Sequence, residues 1–401
     1  MTKNLAFITH SQYPIEPRAR RMAEALASHG YAVDLFCLRH KGEAVQETLN
    51  GVTIHRLPVA RQQGKGGLAY IWEYLRFFLA AGWQITRRHL RKHYALIQVY
   101  NPPDFLTFAT LIPRMFERTR VVLDVRDMAP ELFRSRFDLG ADHLVTRTLR
   151  AHERWASAYA DAVTVCTEHQ LGVMARRGIP PDHMTIVMNC PDEVIFDQPA
   201  PDTKSEGFSL VYHGAILERY GLDVLIRAIP QLVREIPDLR VDIYGTGDFL
   251  LTAQELATAL GVNGVTHFHG HVPIEAIPGL IRTADIGVVP VRRDVFTDTI
   301  LPTKLIEYAY LGIPAVVART STIGEYFDAD MVAFFESGNA EDLARQVLAL
   351  HRNREKGRAL VARSRRFLEA HNWSHEKQVY RALIDRLVNG PVKNSAQERH
   401  V

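Results

Sequence analysis

The stretch SLVYHGAILERYGLDVLIRAIPQLVREIPDLRVDIYGTGD, residues 209–248, decides the fold. Ser209–His213 is a short apolar run, as expected of a strand buried on both faces. Gly214 opens a turn, and Gly221–Glu235 carries its apolar residues at helical spacing. Arg240–Tyr244 is a second apolar run, closed by Gly245 and Gly247. Strand, helix and strand in that order imply parallel pairing through a right-handed crossover.

The same alternation extends in both directions. Downstream, strands are expected at Val265–Phe268, Ile286–Pro290, Ala315–Ala318 and Met331–Phe335. Helices are expected at Thr252–Leu260, Ile274–Arg282, Thr303–Leu311 and Ala340–Leu350, with a last long one beginning near Glu376. Upstream, Leu5–Thr9, Val33–Leu38, Val52–Leu57, Leu96–Tyr100, Val121–Asp124, Ala162–Cys166 and Met184–Met188 read as strands. Arg18–His29 reads as an amphipathic helix that Gly30 ends. The segment Gln198–Gly207 has two prolines and no periodicity, so it reads as a linker. The chain is therefore α/β, with two facing doubly wound parallel-sheet domains and a deep cleft between them. The expected domains are 1–197 and 208–375, joined by 198–207. The tail Lys393–Val401 is polar and expected to fray.

Composition removes several classes of function. The 401 residues are 47% hydrophobic and 23% charged, ordinary globular values that exclude disorder and collagen. A net charge of +3 is too mild to point to nucleic acid. Cys37, Cys166 and Cys190 are far apart, which argues against a disulfide framework or structural zinc and fits a reducing cytoplasm. Leu5–Thr9 is too short for a secretory leader, and no run reaches eighteen uncharged apolar residues.

Three loops at strand ends carry candidate chemistry. His213–Gly221 joins a strand end, a glycine turn and a helix start, a layout suited to anions. Arg219 there offers a forked donor for phosphate; a surface arginine on a plain βα turn is the alternative. Tyr244–Asp248 supplies two glycines but lacks the third of a dinucleotide fingerprint. In Leu301–Pro314 (LPTKLIEYAYLGIP), Lys304 opposes the macrodipole at the helix start, a conflict that a bound anion resolves. Glu307, one turn deeper, has the geometry to accept both hydroxyls of a ribose. A solvated Lys304–Glu307 salt bridge is the plainer reading.

The order HGAILERYGLDVLIRA, VDIYGTGD, THFHGHVP, IRTADIGVVPV and LPTKLIEYAYLGIPAVV resembles glycosyltransferase family 4, retaining enzymes of the GT-B fold. Upstream, TVCTEHQLGVMARRGIPPDHMTIVMNCPDEVIF resembles the end of the family's first domain. EAHNWSHEKQVYRALI resembles its crossover helix, so 376–390 is expected to return to 1–197. The resemblance spans about residues 1 to 390 and is strongest after Asp161. It implies a nucleotide-sugar donor bound in 208–375 and an acceptor in 1–197. Glu307 would hold the ribose, and Arg219 and Lys304 the diphosphate. Gly214, Gly245, Gly247, His271 and Val272 would line the rest of the donor site. Fixed cations aimed at the diphosphate lower the barrier to its departure, so no metal or cofactor is expected.

The sequence departs from the family at three places. Many members have a glutamate eight positions before Glu307; here Thr299 stands in that donor-side position. Arg219 is followed by Tyr220 rather than a second basic residue. The first loop is Tyr13–Arg18 (YPIEPR) in place of a glycine loop, with Arg18 supplying charge. In Asp124–Glu131 (DVRDMAPE) the resemblance puts Arg126 and Asp127 at the reaction centre. Arg18, Asp127 and Glu131 would lie on the acceptor side. A salt-bridged Arg126–Asp127 pair that merely closes the sheet edge is the alternative.

The segment Leu68–Trp83 is apolar and aromatic, and Gln84–His93 adds Arg87, Arg88, Arg91 and Lys92 without an acid. That pattern suits an interfacial helix on anionic lipid, or a core helix with a basic end. His267, His269 and His271 share one strand face but read as sheet polarity rather than a metal site. Asp328 and Asp330 read as a coincidental D-x-D.

The expectation is a metal-independent hexosyltransferase that acts on a lipid-linked or growing glycan in surface polysaccharide synthesis. It is cytoplasmic, peripheral at the inner face of the plasma membrane through 68–93. The alternatives are a nucleotide-sugar epimerase of the same fold and a catalytically silent sugar-nucleotide-binding protein. A nicotinamide oxidoreductase is disfavoured because Thr9–Arg18 contains no glycine.

Overall fold

The computed structural model describes residues 2–59, 67–198 and 207–390. The linker expected at 198–207 therefore lies, apart from its ends, outside the described residues, as does the tail from 391. The chain divides into two compact units. The first comprises Met1–Pro130, Ala141–Val187 and Glu376–Val401; the second comprises Glu131–Gly140 and Met188–His375.

In the first unit, chain order is β1 (Asn4–Thr9), α1 (Pro17–Ser28), β2 (Ala32–Leu38), β3 (Gln46–Leu49), β4 (Val52–Leu57) and α2 (Gly67–Lys92). Next come β5 (Tyr94–Tyr100), α3 (Leu111–Glu117), β6 (Arg120–Val125), α4 (Ala129–Phe137), which belongs to the second unit from Glu131, and α5 (Leu144–Tyr159). Then follow β7 (Ala162–Val165), α6 (Glu168–Arg176) and β8 (Met184–Ile186). The sheet order is β3-β4-β2-β1-β5-β6-β7-β8. Only the edge strand β3 is antiparallel. Its sequence, QETL, is polar and mostly exposed, so no apolar run announces it.

The central strands carry unbroken apolar faces because helices cover both sides. One cluster packs Ile8, Phe36 and Val99 under Phe77, Ala81 and Ile85 of α2. A second packs Leu123, Val163 and Met174. The direction of strand succession reverses between β1 and β5. Ligand sites of open α/β sheets form at such a reversal, outside the carboxyl ends of the strands.

The second unit begins with α7 (Glu193–Phe196), β9 (Phe208–His213), α8 (Leu222–Glu235), β10 (Leu239–Tyr244), α9 (Leu250–Ala259) and β11 (Thr266–Gly270). It continues with α10 (Ile277–Arg282), β12 (Ile286–Val289), α11 (Thr303–Leu311), β13 (Ala315–Ala318), α12 (Ser321–Tyr326) and β14 (Ala333–Phe335). The helices α13 (Ala340–Arg352), α14 (Arg354–Ala370) and α15 (Trp373–Asn389) complete the chain. The all-parallel sheet runs β11-β10-β9-β12-β13-β14, with its reversal between β9 and β12. The helix expected over Ile274–Arg282 starts as a 3₁₀ turn at Ile274–Ala276. Only then does Pro278 seed α10, near its start, where a missing N–H costs nothing.

From Glu376 onward α15 packs in the first unit. The Tyr380 hydroxyl donates to the Gln98 side chain of β5 at 2.6 Å. Arg381 donates to the Ala25 carbonyl of α1 at 2.8 Å.

Candidate functional site

In the second unit the loops at the reversal between β9 and β12 meet the N-terminal turn of α11. Gly214 ends β9 with a positive φ, and a Cβ there would lie 3.5 Å from Lys304 Nζ. The Gly214 amide donates to the Tyr244 carbonyl at 2.9 Å, and the Gly245 amide to the Gly270 carbonyl at 2.7 Å. The loops after β9, β10 and β11 thus sit side by side. Their closeness requires glycine: a Cβ on Gly245 would fall 1.9 Å from the Gly214 carbonyl oxygen. Gly247 approaches the Ile216 carbonyl in the same way. His271 and Val272 leave β11 beside this floor, the first exposed and the second half-buried.

Two cations stand here without an anion. Lys304 Nζ lies 3.8 Å from the Tyr212 ring centre and 5.7 Å from that of Tyr220. It has no hydrogen bond or ion pair among the described residues. Burial pushes its pKa down to about 7, against the opposing pull of Glu307. Arg219 projects from the 3₁₀ turn Glu218–Tyr220, 5.5 Å from the Phe296 ring centre. Its Nη1 is buried with no hydrogen-bond partner among the described residues. Burying a charge without a counterion is costly, so the arrangement is suited to an anion.

Glu307 does not form the Lys304 salt bridge of the plainer sequence reading. Its Oε2 pairs with His213 Nε2 at the end of β9. The other ring nitrogen, Nδ1, lies 3.1 Å from the Tyr308 hydroxyl, which in turn donates to the Val211 carbonyl at 3.1 Å. This chain fixes the carboxylate and leaves Oε1 without a partner among the described residues. His213, Tyr212 and Tyr220 are site residues that the sequence does not announce. His213 reads there only as the end of an apolar run.

Thr299 is placed differently. It is buried, and its hydroxyl donates to the Phe296 carbonyl of its own turn at 2.7 Å. It closes that loop and offers no free group to a sugar. Of the histidine row, His269 is committed: it pairs with Asp242 at 2.6 Å and stacks on Tyr244. Among the described residues no cluster of metal-ligating side chains occurs. Asp330 of the D-x-D pairs with Arg363.

In the first unit the carboxyl ends of β1, β5 and β6 gather a second group. Asn101, just after β5, is its anchor. Its Oδ1 accepts from the amides of Arg126 at 2.7 Å and Asp127 at 3.2 Å. Its Nδ2 donates to the Asp127 carbonyl at 2.7 Å and to Asp104 at 2.9 Å. Burial lifts the Asp104 carboxyl to about 6. The Arg126 guanidinium reaches Glu16 at 3.3 Å and Asp127 at 3.4 Å. Glu16 also caps α1 by accepting from the Ala19 amide at 2.7 Å. Arg126 and Asp127 are thus paired, as the plainer sequence reading allows, yet both stay partly exposed.

Arg18 corrects an expectation. It is not an acceptor-side group, because it is 2% exposed and forks onto Asp124 at 2.7 and 2.8 Å. Its Nη1 donates to the Val187 carbonyl at 2.7 Å. With both partners fixed, this is a buried structural pair that ties α1 to β6 and to the segment after β8. Glu131 is buried in the first turn of α4 and belongs to the second unit.

Fold and site together define a class: two Rossmann-like domains, one of which presents paired cations and a fixed carboxylate at its sheet reversal. Residues 15–190 match the glycosyl transferase 4-like domain, and residues 195–367 match the glycosyl transferases group 1 domain. The chain belongs to glycosyltransferase family 4 and has the GT-B fold. It is 36% identical over 107 residues to a GDP-mannose-dependent alpha-(1-6)-phosphatidylinositol monomannoside mannosyltransferase of Mycolicibacterium smegmatis. That match covers 26% of this chain and 28% of the relative. The chain aligns with less than half the length of the curated relatives it matches. Sucrose-phosphate synthase from Thermosynechococcus elongatus superposes with a TM-score of 0.78 at 16% identity, over 97% of this chain and 100% of its own. Anabaena HepE in complex with UDP-glucose superposes at 0.72 with 12% identity, over 95% and 99% of the two chains.

Proposed function

We propose that this chain transfers a hexosyl group, with retention, from a nucleoside-diphosphate sugar to a hydroxyl of a lipid-linked or growing glycan. The observation that carries the reading is the pair Lys304 and Arg219, two cations without an anionic partner at the carboxyl ends of β9 and β12. A diphosphate placed there completes both. Its leaving oxygen gains negative charge as the glycosidic bond breaks, and charges already fixed in place need no reorganisation to meet it. Glu307, oriented by His213, accepts the ribose hydroxyls through Oε1. The reaction then needs no divalent ion. Arg126 and Asp127, held by Asn101, form the acceptor side.

The acceptor class draws support from α2. Its buried face carries Glu73, Phe77, Ala81, Ile85 and His89, as a core helix does. The opposite face leaves Trp72, Leu75, Leu79, Trp83 and Leu90 exposed, with Arg76 and Arg87 along its edge. Helix α3 packs beside α2 and exposes Ile112, Met115 and Phe116. The core-helix reading of 68–93 holds for the buried face, and the exposed face leaves the lipid-interface reading open to test. An apolar stripe with basic edges suits the interface of an anionic membrane. No described helix is long and apolar enough to cross a membrane. The mannosyltransferase relative is named for a phosphatidylinositol-borne acceptor, which fits such a surface.

The test is a transfer assay with a panel of nucleoside-diphosphate sugars, with and without lipid-extract acceptors and with a chelator present. Acceptor-dependent release of nucleoside diphosphate supports the reading, and its loss in Lys304→Ala and Glu307→Ala assigns it to this site. Conversion of the donor without acceptor would indicate an epimerase. Unchanged turnover in both variants refutes the donor site.

A further inference from the structure

We infer that the second unit has a separate binding pocket for a small phosphate-bearing molecule, at the end of the sheet opposite the donor site. The cavity measures about 420 Å³, within the range of small-molecule sites. It lies where β9, β12 and β13 begin, between α10, α13 and α14, and Phe208 and Ile286 form part of its apolar wall. The strand β9 has six residues, so its two ends, and hence the two sites, are about 17 Å apart along the sheet.

Four arginines line the cavity, Arg282, Arg354, Arg358 and Arg365, against one carboxylate, Asp285. Two of them are engaged. Arg282 donates to the Phe196 carbonyl at 2.6 Å and to the Gln198 carbonyl. Arg354 lies 3.4 Å from Asp285, whose other oxygen accepts from the Ser209 amide at 3.0 Å. Arg358 and Arg365 have no hydrogen bond or ion pair among the described residues. The single acid is thus already shared, and two guanidinium groups remain.

The helix gathers these charges on one side. Arg354, Arg358, Val361 and Arg365 fall at i, i+4, i+7 and i+11 of α14, which is one face. Like charges at that spacing repel. The Arg365 guanidinium reaches the cavity across Gly312, and its Nη2 lies 2.5 Å from where a Cβ on that glycine would stand. Guanidinium forks match phosphate oxygens two at a time. A phosphate held by Arg358 and Arg365 supplies the counter-charge that both lack, and the apolar wall accommodates the carbon skeleton of its ester. The space suits a hexose phosphate.

Isothermal titration with glucose 6-phosphate and with inorganic phosphate, at constant ionic strength set by chloride, tests this inference. One saturable site is expected for at least one of the two probes. Arg358→Gln combined with Arg365→Gln, both on the exposed side of α14, should weaken it about tenfold or more. Circular dichroism and the unperturbed melting temperature establish that the variant folds. The lysine pair Arg358→Lys with Arg365→Lys should retain part of the affinity, because the charge remains and the fork is lost. Lys304→Ala, which weakens any phosphate binding at the donor end, should keep the saturable site at α14. Binding that does not saturate, that survives the glutamine pair, or that disappears in Lys304→Ala overturns the inference. None of these outcomes depends on transferase activity, so failure of the donor-site reading is scored separately.

Discussion

Diphosphate binding at Lys304 should be a proton-coupled event. Its pKa in the unliganded protein is lowered to about 7, because desolvation beside Tyr212 and Tyr220 outweighs the opposing pull of Glu307. At pH 8.5 only about 3% of the molecules carry this charge. A diphosphate within ion-pair reach favours the charged form and returns the pKa to roughly 10, near the ordinary lysine value. Binding at pH 8.5 should then take up about 0.9 proton per site. The apparent affinity should fall about fortyfold between pH 7 and pH 9 by the same linkage. The window is suitable because the terminal phosphate, with a second pKa of about 6, is already ionised throughout it. Calorimetry in buffers of differing ionisation enthalpy measures the uptake directly, with the nucleoside diphosphate that gives the largest thermal shift as ligand. Lys304→Arg, which stays charged, should bind with a flat pH profile. An uptake near zero at pH 8.5, or affinity that does not change from pH 7 to 9, refutes the placement of the diphosphate on Lys304.

The same lysine predicts a stability profile. Its folded pKa lies below that of an unfolded lysine, so the unfolded chain binds more protons and its contribution to stability grows as pH rises from about 7 to 10. Lys304→Met should therefore raise the melting temperature more at pH 6 than at pH 10, as read by calorimetry. Asn101→Ala strips the acceptor from two amides and should lower stability by about 1–3 kcal/mol in denaturant titration, with transfer falling as the Arg126–Asp127 loop loosens. Gly245→Ala drives a Cβ into the Gly214 carbonyl and should cost at least about 2 kcal/mol, with a parallel loss of diphosphate binding. Trp72→Glu with Trp83→Glu, both exposed in the free protein, should leave the melting temperature unchanged. It should cut partition onto phosphatidylglycerol vesicles about tenfold or more in a flotation assay.

What the sequence discloses follows the physics of each signal. Parallel strands buried on both faces write themselves as apolar runs, so Ala315–Ala318 is readable to the residue, and Val52–Leu57 is too although Thr53, His55 and Arg56 interrupt it. Helix α11 is equally plain, bounded by Pro302 and Gly312. Helix α14 is not, because its burial rests on Gly357, Leu360, Ser364 and Phe367 within a chain dense in arginine. Lys304 and Glu307 stand out locally, one at a helix start and the other a turn later. The partner of Glu307 is 94 residues away at His213, and no local pattern encodes that pairing. Arg18 misleads for the same reason. Nothing near Tyr13–Arg18 indicates that Asp124, 106 residues on, takes up its guanidinium. Asn101 lies in an N-P-P turn, whose strand-end position is visible while its four hydrogen bonds are not.

The return of α15 to the first unit sets an order of assembly. The first unit lacks Tyr380 and Arg381 until the segment after His375 has been synthesised. The intervening second unit, Met188–His375, is translated in on the order of ten to forty seconds. Throughout that time the first sheet stands with Gln98 lacking its tyrosine cap and the Ala25 carbonyl lacking its arginine. The later part of the chain is therefore complete before the earlier part. The exposed stripe of α2 is then presented to the cell on a domain still waiting for its last helix, which is the period in which a chaperone has most to protect.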